Sequence, residues 1–510
     1  MTDASGVTSY SYDPVGNLAG YSYPNGVSTS YAYDPLNRLT QMQSTCATGT
    51  GCGPANTTIA SYAYTLGSTG NRLSVAELSG RSVTYGYDDL YRLTGESITC
   101  GTAAPGCVSG NVNYTFDNVG NRKQLNSTLP AIAATGLLNY DANDRTSTDP
   151  YDANGNLLNG GVGANVYDFE NRLVQAGGVK IVYDGDGNRV RETVATTTTS
   201  YLVADQNLTG YAQVLDEVQG GAVSRTYSYG LSLVSQKLTA SGSLRFYGFD
   251  GHGSVRYLTS SIGAITDTYD YDAFGNLISA TGTTPNNYLF AGEQFDPALG
   301  VYYNRARYYD QRQGRFWSMD TWEGDPESPQ SLHKYFFANG SPVNATDPSG
   351  YITDLVLAAL YGQRVHELIG DHFEITTGGI SNRSINTIIG VRNYLRPDLV
   401  NVLTGEVYEI KPTASFAEGV LQLTVYLGIL NILDPEKRRW VPGFSYFPPP
   451  LLRLTNLTVA LVQVPIVGVI TYQVRNLAID VLTLAFVTSA VTAEMRLSIG
   501  TATLTAQYGY

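Results

Sequence analysis

Asp398, Glu409 and Lys411 bring two carboxylates and an ammonium to either side of a glycine turn at Gly405, in Arg396-Pro-Asp-Leu-Val and Val407-Tyr-Glu-Ile-Lys-Pro412. Side chains alternate across a strand, so Glu409 and Lys411 share one face while Ile410 takes the other. A hairpin at Gly405 would set Asp398 beside Glu409. Two carboxylates converging on one point repel each other unless a hard divalent cation lies between them, and oxygen ligands suit Mg²⁺ or Mn²⁺. Asp398 and Glu409 are therefore the candidate metal ligands. A lysine beside that metal can orient an attacking water and favour its hydroxide form, which is the role expected of Lys411. The elements that must position these groups are legible too. Residues 416–430 read as a helix that stacks Gln422 and Tyr426 four residues apart, and residues 354–373 as a helix carrying Glu367. The plainer alternative is a surface hairpin with a Glu/Lys ladder beside an amphipathic helix.

Helix with Glu, strand with Asp, strand with Glu-x-Lys, then a helix with Gln-Leu-Thr-Val-Tyr426 resembles the PD-(D/E)xK nuclease superfamily, over roughly residues 360–430. The resemblance implies an α/β restriction-endonuclease-like fold and a Mg²⁺- or Mn²⁺-dependent nuclease acting on DNA or RNA. It makes Glu367 the first-helix acid, with Glu374 close enough to compete, and gives Gln422 the task of positioning the substrate or Lys411. His366, beside Glu367, could stand near the nuclease site, but a helix-surface histidine is the favoured reading. His252, His333 and His372 join no recognisable metal or nucleophile motif.

The 510 residues are enough for two or more domains. With 54 Gly, 39 Tyr and 15% charged residues, the composition fits many short strands joined by tight turns and excludes a mainly helical protein. Residues 351–510 carry 12 acids and 11 bases, so nearly all of the net charge of −13 precedes them. Such an acidic region does not bind nucleic acid non-specifically; the near-neutral remainder could, through clusters such as Lys437-Arg438-Arg439. No signal peptide is expected from the first residues. Residues 454–474 are uncharged but rich in β-branched residues and interrupted by Pro465, so they read as sheet strands and not as a stable membrane span. Cys46 with Cys52 and Cys100 with Cys107 could close small loops in an oxidising compartment, or remain free thiols in a reducing one.

Before residue 350 one unit recurs: Tyr12-Asp-Pro-Val-Gly-Asn-Leu18, Tyr33-Asp-Pro-Leu-Asn-Arg-Leu39, Tyr87-Asp-Asp-Leu-Tyr-Arg-Leu93, Tyr151-Asp-Ala-Asn-Gly-Asn-Leu157 and Tyr271-Asp-Ala-Phe-Gly-Asn-Leu277 are versions of it. It predicts a hairpin, with aromatic and leucine residues at strand ends and Asp, Gly and Asn supplying the positive-φ turn positions. Repeated, the unit builds a sheet that buries its aromatic face on its neighbours. This resembles the YD-repeat, or Rhs, family. The stretch from Gly300-Val-Tyr-Tyr-Asn-Arg-Ala-Arg-Tyr-Tyr-Asp310 through Gly314-Arg-Phe-Trp-Ser-Met-Asp320 to Asp347-Pro-Ser-Gly350 matches the family's closing segment.

The resemblance implies an all-β hollow shell over residues 1–298, a closing segment over 299–351 and a C-terminal nuclease toxin domain over 352–510. It implies aspartate-dependent self-cleavage after Tyr351, using Asp320 and Asp347 with Arg315 as a partner. Thr321 stands where Pro is frequent in the family and Tyr351 where Leu is usual. Membership further implies a secreted effector acting inside a target cell, delivered by a secretion or toxin-complex apparatus and neutralised by a cognate immunity protein. Two rivals remain: a non-enzymatic YD-repeat surface adhesin or carbohydrate-binding shell, and a shell carrying a membrane-active tail.

Overall fold

The computed structural model describes residues 1–476 except 4, 15, 48–50, 102–105, 208, 325–328, 352, 383–396, 413–415, 454–457, 464 and 466–468. Arg396 and residues 477–510 thus lie outside the described residues. The chain divides into two compact units, residues 1–356 and 357–510.

In the first unit the repeats fold as antiparallel meanders. Residues 9–127 form a 10-stranded sheet and residues 165–281 a 12-stranded one, each with its strands in sequence order. The turn that joins the strands explains the repeated letters. Asp88 accepts the backbone N–H of Leu90 and of Arg92 on Oδ1, at 3.0 and 2.9 Å, and the Arg92 Nε on Oδ2 at 2.7 Å. Asp34, Asp141 and Asp168 do the same with Arg38, Arg145 and Arg172, while Asp152, Asp184 and Asp272 hold Asn156, Asn188 and Asn276. The aspartate is therefore a cap. Only the residue before the held Arg or Asn takes positive φ: Asn37, Tyr91 and Asn171 at about 60° before Arg, and Gly155, Gly187 and Gly275 before Asn. Sequence reasoning had spread that conformation over Asp, Gly and Asn alike.

At six of the caps the tyrosine ahead of the aspartate ties one repeat to an earlier one. Its hydroxyl donates to the carbonyl of the residue that follows the preceding turn: Tyr33 to Leu18, Tyr87 to Arg72, Tyr140 to Arg122, Tyr167 to Leu157, Tyr183 to Leu173 and Tyr271 to Val255, at 2.6 to 3.0 Å. The turns also touch sideways, as in Asn17 Nδ2 to Asn37 Oδ1, Asn121 Nδ2 to Asp144 Oδ1 and Arg92 Nη1 to the Asp117 carbonyl.

The two sheets share one aromatic core, in which Met42, Tyr62, Val83 and Tyr114 meet Tyr247, Tyr257, Tyr271 and Phe274. Polar bonds cross the same interface. Arg256 reaches Glu77 at 3.0 Å, and Asn25 Nδ2 donates to Thr259 Oγ1 at 2.9 Å. Among the described residues the sheets stay open and no closed barrel forms. Cys46–Cys52 and Cys100–Cys107 are both disulfide-bonded, and no free cysteine remains.

Residues 294–316 form a four-stranded sheet that enters two cores at once. Tyr302, Tyr309 and Phe316 join the core shared by the large sheets, while Val301, Tyr303, Tyr308 and Trp317 pack with Leu157, Leu173 and Ile181. The alternation of a strand makes this possible.

The second unit is α/β. It contains helix α1 (Asp354–Thr377), strands β1 (Ile380–Ser381), β2 (Leu399–Asn401) and β3 (Glu406–Pro412), helix α2 (Phe416–Leu433), and strands β4 (Val441–Pro442), β5 (Leu451–Arg453), β6 (Thr458–Val462) and β7 (Val469–Asn476). The sheet order is β1-β2-β3-β7-β6-β5, with β4 also on β3. β2 and β3 are antiparallel; β3 and β7, separated in the chain by α2 and β4 to β6, are parallel. Val365, Ile369 and Phe373 of α1 pack with Tyr408 and Ile410, and Leu423, Tyr426 and Leu430 of α2 with Val407 and Val469. No helix among the described residues is long and apolar enough to cross a membrane.

Removing one cap should loosen the array measurably. Asp88→Ala is expected to cost about 1 to 2 kcal/mol, from its lost bonds to two N–H groups and to Arg92, while Asp88→Asn keeps the acceptor and costs less. Urea denaturation of both variants checks this; equal stability of Asp88→Ala and wild type would contradict the capping role.

Candidate functional site

The register of β2 on β3 pairs Leu399 with Tyr408, which carries Asp398 past the strand end to the level of Glu409. Asp398 is fixed there because its Oδ2 accepts the Ile410 backbone N–H at 2.6 Å. Glu409 and Lys411 share a face, as alternation requires, with Lys411 Nζ 3.1 Å from Glu409 Oε1. Ile410 lies on the opposite face, in the α1 core. Glu409 is 1% exposed, and its Oε2 is buried without a hydrogen-bond partner among the described residues. Burial first, then the Asp398 carboxylate, push Glu409 up to about 8, against the pull of Lys411.

Such a pair needs a proton or a cation between its oxygens. Among the described residues no three His, Cys, Asp or Glu side chains already form a metal cage. Two carboxylates with one uncommitted oxygen do fit a Mg²⁺ or Mn²⁺ ion that keeps most of its water or takes phosphate oxygens.

The helices close the site. On α2, Gln422 Nε2 donates to the Tyr426 hydroxyl at 2.7 Å. Tyr426 feels the charges of Glu409, Asp398 and Lys411, although burial is the first cause that raises it. Gly419 lets α2 approach: a Cβ there would stand 2.9 Å from Lys411 Cγ and from Val469 Cγ1. On α1 the side chain at Asp398 is His366, whose Nδ1 lies 3.3 Å from Asp398 Oδ1. This corrects the reading of His366 as a surface histidine. Glu367, the residue expected there, is exposed, and Glu374 instead accepts the Ser381 N–H and hydroxyl. The missed signal is helical phase, since Ile369 and Phe373 recur three and seven residues after His366 on the buried side. Tyr472, across from Pro412, stacks edge-on against His366.

The closing segment holds a second cluster. Arg307 Nη2 bridges Asp320 Oδ2 at 2.7 Å and Asp347 Oδ2 at 3.5 Å. Asp347 Oδ1 accepts the Ser349 hydroxyl and the N–H groups of Gly350 and Tyr351, so it fixes the backbone that leads to the expected cleavage bond. The Arg307 Nε also donates to the Gly350 carbonyl. Burial pushes both carboxyls up, Asp320 to about 6, with Arg307 pulling the other way. The arginine of this cluster is thus Arg307, not Arg315. Arg315 donates to the Asp144 carbonyl and stacks on Tyr140 and Tyr335. Tyr351 is 45% exposed. His333 is structural: its Nε2 pairs with Asn121 Oδ1 and its Nδ1 accepts the Tyr335 N–H.

Comparison with known proteins places the repeats. The RHS Repeat family model matches residues 12–50. The chain is 31% identical over 264 residues to the tRNA3(Ser)-specific nuclease WapA of Bacillus spizizenii, and 30% identical over 264 residues to the tRNA nuclease WapA of Bacillus subtilis (strain 168). Each match covers 49% of this chain and 11% of the relative, so the chain spans about a tenth of their length. Among solved structures it is similar to the TcdB2-TccC3 complex, with a TM-score of 0.56 at 19% identity over 68% of this chain and 20% of that one. The Tc holotoxin pore of Photorhabdus luminescens gives a TM-score of 0.56 at 18% identity, covering 68% of this chain and 19% of that one. Residues 12–50 therefore match an RHS repeat, and about two thirds of the chain shares its fold with the TcdB2-TccC3 complex.

Arg307→Met would leave two buried carboxyls facing each other without their cation. A loss of about 3 to 5 kcal/mol is expected at pH 8. The loss should shrink at pH 5, where the carboxyls, already raised in the wild type, take up protons. Thermal unfolding at both pH values checks this, with Arg315→Met as the control that keeps the pair. A loss independent of pH would contradict the bridge.

Proposed function

We propose that this chain is part of a secreted Rhs-type toxin whose β-sheet region packages a C-terminal, metal-dependent nuclease. The observation that carries the reading is the Asp398–Glu409–Lys411 constellation, with the uncommitted buried oxygen of Glu409. The order helix, antiparallel strands, helix and parallel strand supports a restriction-endonuclease-like fold, and the nuclease relatives support nucleic acid, DNA or RNA, as substrate.

Asp398 and Glu409 would hold Mg²⁺ or Mn²⁺, with His366 orienting Asp398 or joining them. The bound ion would supply Lewis-acid stabilisation of phosphate charge and an acidified water. Lys411, held by Glu409, orients the attacking water toward phosphorus and favours its deprotonated form. Gln422 and Tyr426 present a polar edge to the substrate from α2. The rest of the proposal follows the closing segment. Water adds to the Tyr351 carbonyl while one of Asp320 and Asp347 takes its proton and the other gives a proton to the departing amine of residue 352. The two open sheets would take part in a larger hollow shell, with a toxin-complex or secretion apparatus and a cognate immunity protein as partners.

The purified chain should cut plasmid DNA, total RNA or tRNA with Mg²⁺ or Mn²⁺ and not with EDTA. Asp398→Ala, Glu409→Ala and Lys411→Ala should each lower the rate by about 10² to 10⁴, without additive effects. Metal binding must displace the proton that Glu409 holds below about pH 8, so affinity should fall as pH drops from 8 to 6. Undiminished cleavage by a folded Glu409→Ala variant would overturn the nuclease reading. Self-cleavage has its own check: mass spectrometry should show a fragment of roughly 160 residues in wild type and an intact chain for Asp347→Asn or Asp320→Asn. Identical masses would remove that part.

A further inference from the structure

A third carboxyl pair lies away from both sites, where the closing segment meets the second repeat sheet. Glu192 and Arg189 stand on the strand Arg189–Val194, and Asp296 on the strand Gln294–Asp296. Arg189 Nη1 binds Asp296 Oδ2 at 3.0 Å and its Nη2 binds Gln294 Oε1 at 2.8 Å, with both charged side chains at most 2% exposed. Asp296 Oδ1 is committed to the N–H groups of Ala298 and Leu299. Glu192 Oε2 accepts the Tyr201 hydroxyl at 2.8 Å. Its other oxygen, Oε1, is buried with no hydrogen-bond partner among the described residues. Two acids thus face one cation.

We propose that Glu192 carries a proton that it donates toward Asp296, and that this proton fastens the closing segment to the second repeat sheet, tightly in mild acid and loosely at neutral pH. An orphaned carboxylate oxygen beside a second carboxylate is costly in a buried place, and a proton on Glu192 turns that repulsion into a donated hydrogen bond. Arg189 and the Tyr201 hydroxyl relieve Glu192 only in part. Tyr201 already donates its hydroxyl, and Arg189 spends its charge on Asp296 and lies over the rings of Tyr303 and Tyr201. Tyr308, whose hydroxyl lies 3.4 Å from Arg189 Nη1, and Tyr183 are held neutral by burial, and Glu217, which acts on Tyr201, adds negative charge.

The sign follows from the direction of the shift. Burial first, with the Asp296 carboxylate adding to it, holds Glu192 up at about 7 against the pull of Arg189, from a free value of 4.5. A raised carboxyl stabilises the closed arrangement fully below its free value, and that stability is lost as pH rises from about 4.5 through 7. Above this window Glu192 is ionised in either state and the fastening is gone.

Hydrogen exchange of the full chain, corrected for intrinsic rates and read on peptides covering 294–304, tests this without any use of nuclease activity. Between pH 5 and 7.5 wild-type protection there should fall by roughly tenfold or more, since each unit inside the window changes the opening constant about tenfold. Glu192→Gln donates the same hydrogen bond without titrating, so its protection should match wild type at pH 5 and stay level. Equal pH dependence in wild type and Glu192→Gln overturns the proposal. If Glu192→Gln does not fold, Glu192→Ala replaces it: with the titrating group gone its protection should be lower at pH 5 but free of the step, and a step equal to wild type's is again the overturning result.

Discussion

A capped turn organises most of this molecule. An aspartate accepts two backbone N–H groups and one side chain, the residue three positions on takes positive φ, and the tyrosine in front of the aspartate bonds to the strand before it. Because the tyrosine lands on the residue that follows the previous turn, each repeat fixes the register of the next. A one-residue slip would break the cap, the staple and the aromatic face together. The choice at the last turn positions is coupled in the same way. Arg follows Asn, Asp or Tyr and Asn follows Gly, and either can hold its own aspartate while reaching the neighbouring turn, as Arg92 does to the Asp117 carbonyl and Asn121 to Asp144 Oδ1.

The closing segment depends on the sheets that this turn builds. Its short strands have no free face, since alternate residues enter two different cores, so every polar group brought with them must find a partner inside. Arg189, Arg305 and Arg307 meet that demand with Asp296, Glu293, and Asp320 with Asp347. Buried acids outnumber their cations in two of these clusters. Protons then become part of the packing, and the segment that leads to Tyr351 sits among groups whose charge depends on pH.

The sequence made the repeats legible because the turn chemistry is local: Asp, the positive-φ residue and Arg or Asn lie within five positions. The closing segment was legible for its length and aromatic density. Its internal pairing was not, because Arg307 and Arg315 carry the same charge and only the strand register shows that Arg307 faces the two aspartates. The Asp398–Glu409–Lys411 cluster followed from alternation and one glycine turn. His366 was weighed toward the helix surface because a helix face cannot be assigned to a site until the sheet beneath it is known. The openness of the two sheets was likewise illegible, since every repeat looks alike whether or not the last one meets the first.

The central claim is that Asp398 and Glu409 form a metal site. Anomalous diffraction from crystals of the full chain grown with Mn²⁺ above pH 8 tests it most directly. The account predicts a Mn²⁺ peak within bonding distance of Glu409 Oε2 and an Asp398 oxygen, lost in Glu409→Gln. Ordered carboxylates with no peak between them, and Lys411 still on Glu409, would contradict it.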